Sequence, residues 1–300
     1  MKLSVIIPCL NGEATIAEQL DALASQSWSE PWELIISDNG STDKSKEIAR
    51  KYEKNFSGFQ IVDASHRRGG PYALNLGIRA ANSDKVACCD ADDEVAPGWV
   101  AAMGEALSNH DIVCGRFRFD KFNEPHIAKR SAEAWKDGLY TGRFLPGGGS
   151  GNFGVKRSLH EIVGGFDEDL PHAYDADYFW RIQLKGYELY YEPDAVVQVR
   201  VGRVKPSLSY LFRRSKNQGA SNCWIYKRYR HFGMKPPPTL KSSFNMWLST
   251  FRRFVSACLN KPDEKQVWLE KVVEQTGKVV GQYVGRLTNP LQPYKPNRRI

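Results

Sequence analysis

Short apolar runs and helix-like segments alternate along the first part of the chain. Leu3–Pro8 and Trp32–Ile36 are rich in β-branched residues, and each is followed by a polar turn and then by apolar residues at helical spacing. Phe59–Val62 predicts a third strand, and the next helix is expected from about Pro71 to Ala81. Strands and helices in this alternation predict an α/β fold with a doubly wound, mainly parallel sheet and flanking helices.

The run Val86–Cys89 is apolar throughout, which is typical of a strand covered on both faces, and it ends in Asp90, Asp92 and Asp93. In open α/β sheets, ligands bind at the carboxyl ends of the strands. Clustered carboxylates suit a hard divalent cation, Mg²⁺ or Mn²⁺. The pattern therefore predicts a metal-bound phosphate at this strand end. The alternative interpretation is a solvated acidic turn that caps the helix expected near Pro97.

Polar side chains also follow the second and third predicted strands. Asp38 and Asn39 can accept and donate hydrogen bonds to a nucleobase at the same edge of the sheet. The loop His66–Gly70 offers the guanidinium of Arg68 and backbone N–H groups, which suit phosphate. Ordinary turn formation is the alternative for both loops, since Asn-Gly and Gly-Gly make turns wherever they occur.

Three motifs occur together in the order and spacing of one enzyme family: Val5-Ile6-Ile7-Pro8, Ser37-Asp38-Asn39-Gly40-Ser41-Thr42-Asp43 and Asp90-Ala91-Asp92-Asp93. Over roughly residues 3 to 202, the chain resembles a family 2 glycosyltransferase. The resemblance implies the nucleotide-diphospho-sugar (GT-A) fold and a metal, Mn²⁺ or Mg²⁺, held by Asp92 and Asp90. Asn39 stands where many members carry a second Asp. The implied contacts to the nucleotide sugar are Pro8, Asn11, Asp38, Asn39, Arg68, Asp90 and Asp92.

The next segments are expected to face the acceptor. Asp111–Phe119 reads as another strand, and residues 120–145 have little hydrophobic periodicity, so they are interpreted as an acceptor-facing insertion. Four glycines fall between Pro146 and Asn152, which lets the backbone approach a ligand closely. Candidate contacts to the acceptor or the diphosphate are therefore Gly149 and Asn152 of this stretch. Asp93 of the acidic cluster is a further candidate. A mobile linker is the alternative interpretation of this glycine-rich stretch.

A second acidic block, Tyr174–Arg181, resembles the motif that supplies the family's general base. Asp175 occupies the position of the base, and Tyr174 replaces the usual Glu. Near a helix start, the helix dipole is expected to favour the anion of Asp175. If the segment is helical, Asp177 and Arg181 are four residues apart and can form an ion pair. Asp177 is therefore interpreted as structural and Asp175 as catalytic.

Many GT-A enzymes place a metal-binding histidine after the strand that Glu192–Arg200 resembles. No histidine lies between residues 173 and 230 of this chain. Two interpretations stay open: the metal has one fewer protein ligand, or Arg200, Arg203 and Lys205 neutralise the diphosphate directly.

Charge divides the chain into two parts, which we expect to be domains of residues 1–205 and 206–300. The net charge is +8, but residues 201–300 hold 20 Lys/Arg against 4 Asp/Glu, which leaves 22 against 30 in the first two hundred. The second part is therefore about +16, and its aromatic and aliphatic residues predict basic amphipathic helices on either side of Pro236-Pro237-Pro238. These helices either pack on their own domain or lie in a membrane interface.

The sequence has no apolar run of eighteen residues and no signal-peptide layout. We expect a cytoplasmic protein, with peripheral contact at the inner face of the cell membrane as an option for the basic helices. Six cysteines without metal-type spacing, at positions 9, 88, 89, 114, 223 and 258, are interpreted as reduced structural thiols.

The principal hypothesis is a metal-dependent inverting glycosyltransferase that passes a sugar from a nucleoside-diphosphate sugar to a hydroxyl of a glycan or glycolipid, in cell-envelope or exopolysaccharide biosynthesis. Nucleic acid is not an expected partner. A nucleotidyltransferase is the enzymatic alternative, but it needs a phosphate-cradling glycine loop after the first strand, and Asn11-Gly12-Glu13 is not one. A non-catalytic basic module that binds a polyanion or a membrane is the second alternative.

Overall fold

The structure is a computed structural model that describes residues 1–135, 138–201, 207–291 and Tyr294. The described residues divide into two compact units. The first unit holds residues 1–168 and 174–201, and the second holds residues 169–173 and those from 207 onward. The expected domain boundary between residues 205 and 206 lies outside the described residues.

The first unit is an eight-stranded sheet with helices on both faces. The chain order of its strands and helices is β1 Leu3–Cys9, α1 Ile16–Ala24, β2 Trp32–Asp38, α2 Ser45–Arg50, a 3₁₀ turn Glu53–Asn55, β3 Phe59–Asp63, α3 Gly70–Ala80, β4 Lys85–Cys89, β5 Glu94–Val95, α4 Trp99–Asn109, β6 Ile112–Arg118, α5 Pro125–Ala134, β7 Asn152–Lys156, α6 Arg157–Val163, α7 Tyr174–Leu184 and β8 Tyr190–Gln198. The order of strands across the sheet is β3-β2-β1-β4-β7-β6-β8-β5.

The sheet is mixed. β1, β2, β3 and β4 run parallel, β7 runs antiparallel between β4 and β6, and β8 pairs parallel with β6 and antiparallel with β5. The predicted doubly wound α/β fold is confirmed for the parallel strands. Strand β7 was not predicted, because Asn152 and Gly154 interrupt its apolar pattern.

Both faces of the central strands are buried. Val5 and Ile7 of β1 belong to the core cluster that includes Leu20 and Trp99, whereas Ile6 belongs to the opposite cluster with Phe153. All these side chains are fully buried. This explains why the central strands lack polar alternation.

The second unit contains three long helices, α8 Leu208–Tyr229, α9 Leu240–Asn260 and α10 Lys265–Leu287, with 3₁₀ turns at Arg230–Phe232 and Pro262–Glu264. The side chains of Ser207 and Thr239 cap α8 and α9. α10 packs closely on α8, because a Cβ at Gly281 would overlap the carbonyl of Lys216. The helical extension is confirmed. None of the helices in the described part of the chain has the length and apolar character that a bilayer crossing requires.

Candidate active site

The loops after β1 and β2 are joined by hydrogen bonds. The backbone N–H groups of Asn11 and Gly12 donate to the hydroxyls of Ser41 (3.0 Å) and Ser45 (2.8 Å). Asn11 Oδ1 accepts a hydrogen bond from the N–H of Thr42 at 2.9 Å. The carboxyl ends of β1 and β2 therefore form one rigid edge, and half-buried Pro8 lies within it.

Asp38 sits at the end of β2 with 2% of its surface exposed. Its carboxylate accepts hydrogen bonds from the N–H groups of Gly40 (3.3 Å) and Ser41 (3.2 Å) and pairs with Lys46 at 3.5 Å. Each carboxylate oxygen has two lone pairs. Asp38 therefore keeps capacity to accept a further hydrogen bond from a ligand.

Asn39 has a structural role that differs from its predicted one. Its Nδ2 donates to the carbonyls of Ala64 (2.7 Å) and Arg67 (2.8 Å), and its Oδ1 accepts from the N–H of Gly69 at 2.8 Å. Both amide hydrogens are committed to the loop after β3, so the expected donation from Asn39 to a nucleobase is corrected. Arg68 lies beside this loop, is exposed, and donates to the Asn39 carbonyl at 2.8 Å.

Three carboxylates gather at the end of β4. Ligand oxygens of Asp90, Asp92 and Asp93 lie within 4.8 Å of one another. Asp93 is 5% exposed and accepts a hydrogen bond from the backbone N–H of Arg200 at 2.9 Å. Burial, and then the charge of Asp90, raise the pKa of Asp93 to about 8. An all-carboxylate donor set with mutual repulsion fits a hard divalent cation.

Gln19 fixes this acidic loop, although it was not predicted to do so. Its Nε2 donates to the Asp90 carbonyl at 3.0 Å and its Oε1 accepts from the N–H of Val95 at 2.9 Å. Gln19 is fully buried on the same side of α1 as Ile16 and Leu23. A polar residue on the apolar side of a predicted helix is the signal in the sequence that would have indicated this role.

The glycine-rich loop reaches the acidic cluster through Gly151. A Cβ at Gly151 would lie 2.5 Å from Asp90 Oδ2, so only glycine leaves this carboxylate in place. The hydroxyl of the preceding Ser150 lies 3.3 Å from the hydroxyl of Tyr174. Gly149 lies against the rings of Phe117 and Trp135 instead. The glycine-rich loop therefore packs against the acidic cluster through Gly151.

Asn152 is not available to a ligand, which corrects the expectation for this residue. It is fully buried, and its Oδ1 accepts a hydrogen bond from Trp99 Nε1 at 2.8 Å. Its Nδ2 donates to the carbonyls of Arg116 (3.0 Å) and Ala195 (2.9 Å). These bonds join β7 to β6, β8 and α4.

Asp175 lies in the first turn of α7, half-buried, and accepts a hydrogen bond from the N–H of Ala176 at 2.8 Å. Burial raises the pKa of Asp175 and outweighs the lowering by hydrogen bonds from the backbone N–H groups at the start of α7. Burial and then the charges of Asp175 and Asp90 raise the pKa of the neighbouring Tyr174. The carboxylates of Asp175 and Asp90 therefore both lie near the hydroxyl of Tyr174.

The predicted ion pair between Asp177 and Arg181 is present. Asp177 is fully buried, and its carboxylate lies 2.8 Å from Arg181 Nε. Arg181 also donates to the carbonyls of Val163 and Gly165, both at 2.6 Å. The pair fixes α7 to the turn that follows α6, which supports a structural role for Asp177.

The guanidinium of Arg200 is engaged within the protein. It stacks 3.6 Å from the ring centre of Phe122 and pairs with Glu18. The expectation that this side chain neutralises a diphosphate is therefore corrected; its backbone N–H supports Asp93 instead. Arg203 and Lys205 lie outside the described residues.

A sequence model described as glycosyl transferase family 2 matches residues 4–161. The poly-β-1,6-N-acetyl-D-glucosamine synthase of Staphylococcus epidermidis is 28% identical over 210 residues, which cover 65% of this chain and 48% of the synthase. The uncharacterized glycosyltransferase YibD of Escherichia coli is 41% identical over 96 residues, 32% of this chain and 27% of that protein. The chain spans about half the length of the curated synthases it matches.

Two solved structures share the fold. The mannosyltransferase PcManGT of Pyrobaculum calidifontis, in complex with GDP-Man and Mn²⁺, matches with a TM-score of 0.60 and 20% identity over 95% of this chain and 87% of that one. TarS 1–349 of S. aureus, in complex with UDP-GlcNAc, matches with a TM-score of 0.54 and 15% identity over 96% and 93% of the two chains. These likenesses confirm the predicted GT-A fold.

Proposed function

The chain belongs to glycosyl transferase family 2, and on this premise we propose that it is a metal-dependent, inverting glycosyltransferase. It transfers a sugar from a nucleoside-diphosphate sugar to a hydroxyl group of a glycan or glycolipid, in the biosynthesis of a cell-envelope or extracellular polysaccharide. The observation that carries this proposal is the cluster of three carboxylates at the end of β4, against which Gly151 packs without a side chain.

Asp90 and Asp92 would hold the cation, Mn²⁺ or Mg²⁺, with Asp93 beside them. When bound, a divalent cation neutralises the negative charge that develops on a departing diphosphate. Gln19 holds the Asp90 backbone, and the Arg200 N–H holds the Asp93 carboxylate, so the cluster is fixed before any ligand binds. The Mn²⁺ in the PcManGT complex supports this cofactor class.

The donor nucleotide is assigned to the edge formed by β1 and β2. Asp38 would accept a hydrogen bond from the base, while Pro8 and Asn11 would shape the adjoining wall. Arg68 is exposed beside this edge and would place a positive charge near the nucleotide. The GDP-Man and UDP-GlcNAc complexes of the two fold relatives support a nucleoside-diphosphate sugar as the donor class.

Asp175 would act as the general base. As the acceptor oxygen forms its bond to the anomeric carbon, the bond from that carbon to the diphosphate breaks, and the acceptor proton passes to the Asp175 carboxylate. Attack from the face opposite the leaving diphosphate inverts the configuration of the anomeric carbon. A pKa raised by burial makes the Asp175 carboxylate a stronger base than an exposed aspartate.

The structure disfavours the nucleotidyltransferase alternative. That chemistry needs free backbone N–H groups after the first strand to cradle phosphates. The N–H groups of Asn11, Gly12 and Glu13 instead donate to Ser41, Ser45 and Asp43. This turn therefore serves to join two loops.

We assign residues 206–300 to acceptor or membrane contact and residues 1–205 to the chemistry. An apolar stripe on α9, formed by Phe244, Leu248, Phe251, Val255 and Leu259, supports contact with an anionic membrane surface at the inner face of the cell membrane. Phe244 and Leu259 are 52% and 77% exposed, while Trp247, on the adjoining side of α9, donates to Thr276 of α10. The excess of basic residues in this part of the chain complements anionic lipid.

Donor binding tests the proposed function. Nucleotide sugars are screened with Mn²⁺ for their effect on the melting temperature of the wild type and of Asp92→Ala. A matching donor at one hundred times its Kd should stabilise the wild type by about 2.7 kcal/mol. The Asp92→Ala variant should lose most of this stabilisation. The proposal fails if no nucleotide sugar stabilises the wild type while a polyanion binds it tightly, which would favour the non-catalytic module.

A further inference from the structure

A cleft of about 520 Å³ lies between the end of β6 and α5, apart from the acidic cluster. We propose that it binds a saccharide of the acceptor that carries an anionic group, a carboxylate or a phosphate. The inference rests on the proposed glycosyl transfer, and it names the class of acceptor. The volume of the cleft falls in the range of pockets that hold one small ligand.

The cleft has an aromatic wall. Phe117 and Trp135 pack edge to face with ring centres 4.7 Å apart, and Tyr191 lines the same space. Neither Trp135 nor Tyr191 is fully buried, so ring surface remains accessible. The face of an aromatic ring is a suitable platform for the apolar C–H face of a sugar, whose hydroxyl groups then point to polar neighbours.

Within the described residues, two cations that line the cleft, Arg116 and Lys129, have no ion-pair partner. Arg118 is neutralised by Asp120, to which it donates two hydrogen bonds at 3.1 and 2.7 Å. Arg116 is exposed in the same cleft, and among the described residues its guanidinium has no hydrogen bond or ion pair. Lys129 is exposed on the α5 side of the cleft and adds a second positive charge, while Glu133 of the same helix carries a negative one. Arg116 is thus available to form a charge-assisted hydrogen bond with an anionic ligand.

The cleft borders the reaction site through the glycine-rich loop. A Cβ at Gly149 would lie 2.9 Å from the Phe117 ring and 3.4 Å from Trp135, whereas a Cβ at Gly151 would lie 2.5 Å from Asp90 Oδ2. Two residues of chain span at most about 7 Å. A sugar held on the aromatic wall is therefore close enough for a hydroxyl of the same or the next ring to reach the acidic cluster.

Three small probes test the cleft without a donor. Binding of methyl β-D-glucuronide, glucose 6-phosphate and methyl β-D-glucoside is measured by saturation-transfer NMR on the full chain. The two charged probes separate carboxylate from phosphate recognition, and the neutral glucoside isolates stacking. We expect a charged probe to bind about tenfold more tightly than the glucoside, since a charge-assisted hydrogen bond is worth at least that factor.

Arg116→Gln should weaken binding of the charged probes several-fold and leave the weak binding of the glucoside unchanged, with Lys129 as the remaining cation of the cleft. Trp135→Ala should weaken all three probes. Arg130→Gln is the matched control, because Arg130 is exposed on α5 but does not line the cleft. If Trp135→Ala fails to fold, Arg116→Gln carries the test alone, since an exposed guanidinium contributes little packing.

The inference is overturned if no probe binds the wild type, or if Arg116→Gln binds the charged probes as tightly as the wild type does. Donor binding with Mn²⁺, measured on the same samples, separates the two proposals. If the saccharide probes do not bind but the donor does, the proposed saccharide binding in the cleft is refuted. If the donor does not bind but the probes do, the proposed function is refuted.

Discussion

Gly151 is the position at which a single added methyl group should weaken metal binding. In Gly151→Ala the new Cβ would lie 2.5 Å from Asp90 Oδ2. Unbonded carbon and oxygen atoms keep about 3.0 Å or more apart, so the carboxylate has to retreat by about 0.5 Å. Metal–ligand distances tolerate deviations of only about 0.2 Å. The backbone of Gly151 needs no left-handed conformation, so alanine adds no backbone strain there.

We expect Mn²⁺ affinity to fall by about 10- to 100-fold, the range found when a group that orients a metal ligand is changed. Isothermal titration with Mn²⁺, alone and with UDP or GDP, measures this effect. Metal and nucleotide should bind cooperatively in the wild type, because a few carboxylates leave coordination positions open for the diphosphate.

Gly149→Ala is the matched control. Gly149 belongs to the same loop, but its added Cβ would meet the ring of Phe117 at 2.9 Å and not the Asp90 carboxylate. Gly149→Ala should therefore keep its Mn²⁺ affinity. The reasoning is refuted if Gly151→Ala binds Mn²⁺ as the wild type does while Asp92→Ala does not.

Three further predictions follow from buried and exposed groups elsewhere. Asp177→Asn should lower the free energy of unfolding by about 3 kcal/mol in urea titrations, because it leaves the buried Arg181 guanidinium uncompensated; a change below about 0.5 kcal/mol would contradict the structural role. Burial lowers the pKa of His160 to about 4, so the unfolded chain binds more protons than the folded chain at this residue between pH 4 and 6.5, and His160 alone should contribute a fall of about 2 kcal/mol in the free energy of unfolding from pH 8 to pH 5. His160→Gln should lack that component, and an identical pH dependence in both proteins would argue against it. Val255→Glu should reduce flotation with anionic vesicles at low salt by at least about tenfold, whereas Ser249→Glu, with the same charge on another side of α9, should not; equal loss in both would leave α9 only a packing role.

Local patterns predicted the fold well. The continuous apolar run of β4 indicated a strand covered on both faces, and both faces of this strand are buried. The pair Asp177–Arg181 was also predicted, because four residues on a helix fix the distance between two side chains.

Roles that depend on distant partners could not be predicted. Asn39 and Asn152 were predicted to contact ligands, but their side-chain amides donate hydrogen bonds to backbone carbonyls more than twenty residues away in sequence. Arg200 likewise forms an ion pair with Glu18, which lies 182 residues earlier in the sequence. No pattern within one segment shows where another segment places its hydrogen-bonding groups.

Asp175→Asn tests the central claim most directly, because it preserves the shape of the side chain and removes its proton affinity. The rate of nucleoside diphosphate release from the matching nucleotide sugar is measured with Mn²⁺, together with the Kd of the donor. The rate should fall by about 10²- to 10⁴-fold with the Kd nearly unchanged. In the wild type, the rate should rise with pH through the raised pKa of Asp175, and the variant should lack this rise. A wild-type rate in Asp175→Asn would contradict the account and assign the proton transfer to another group.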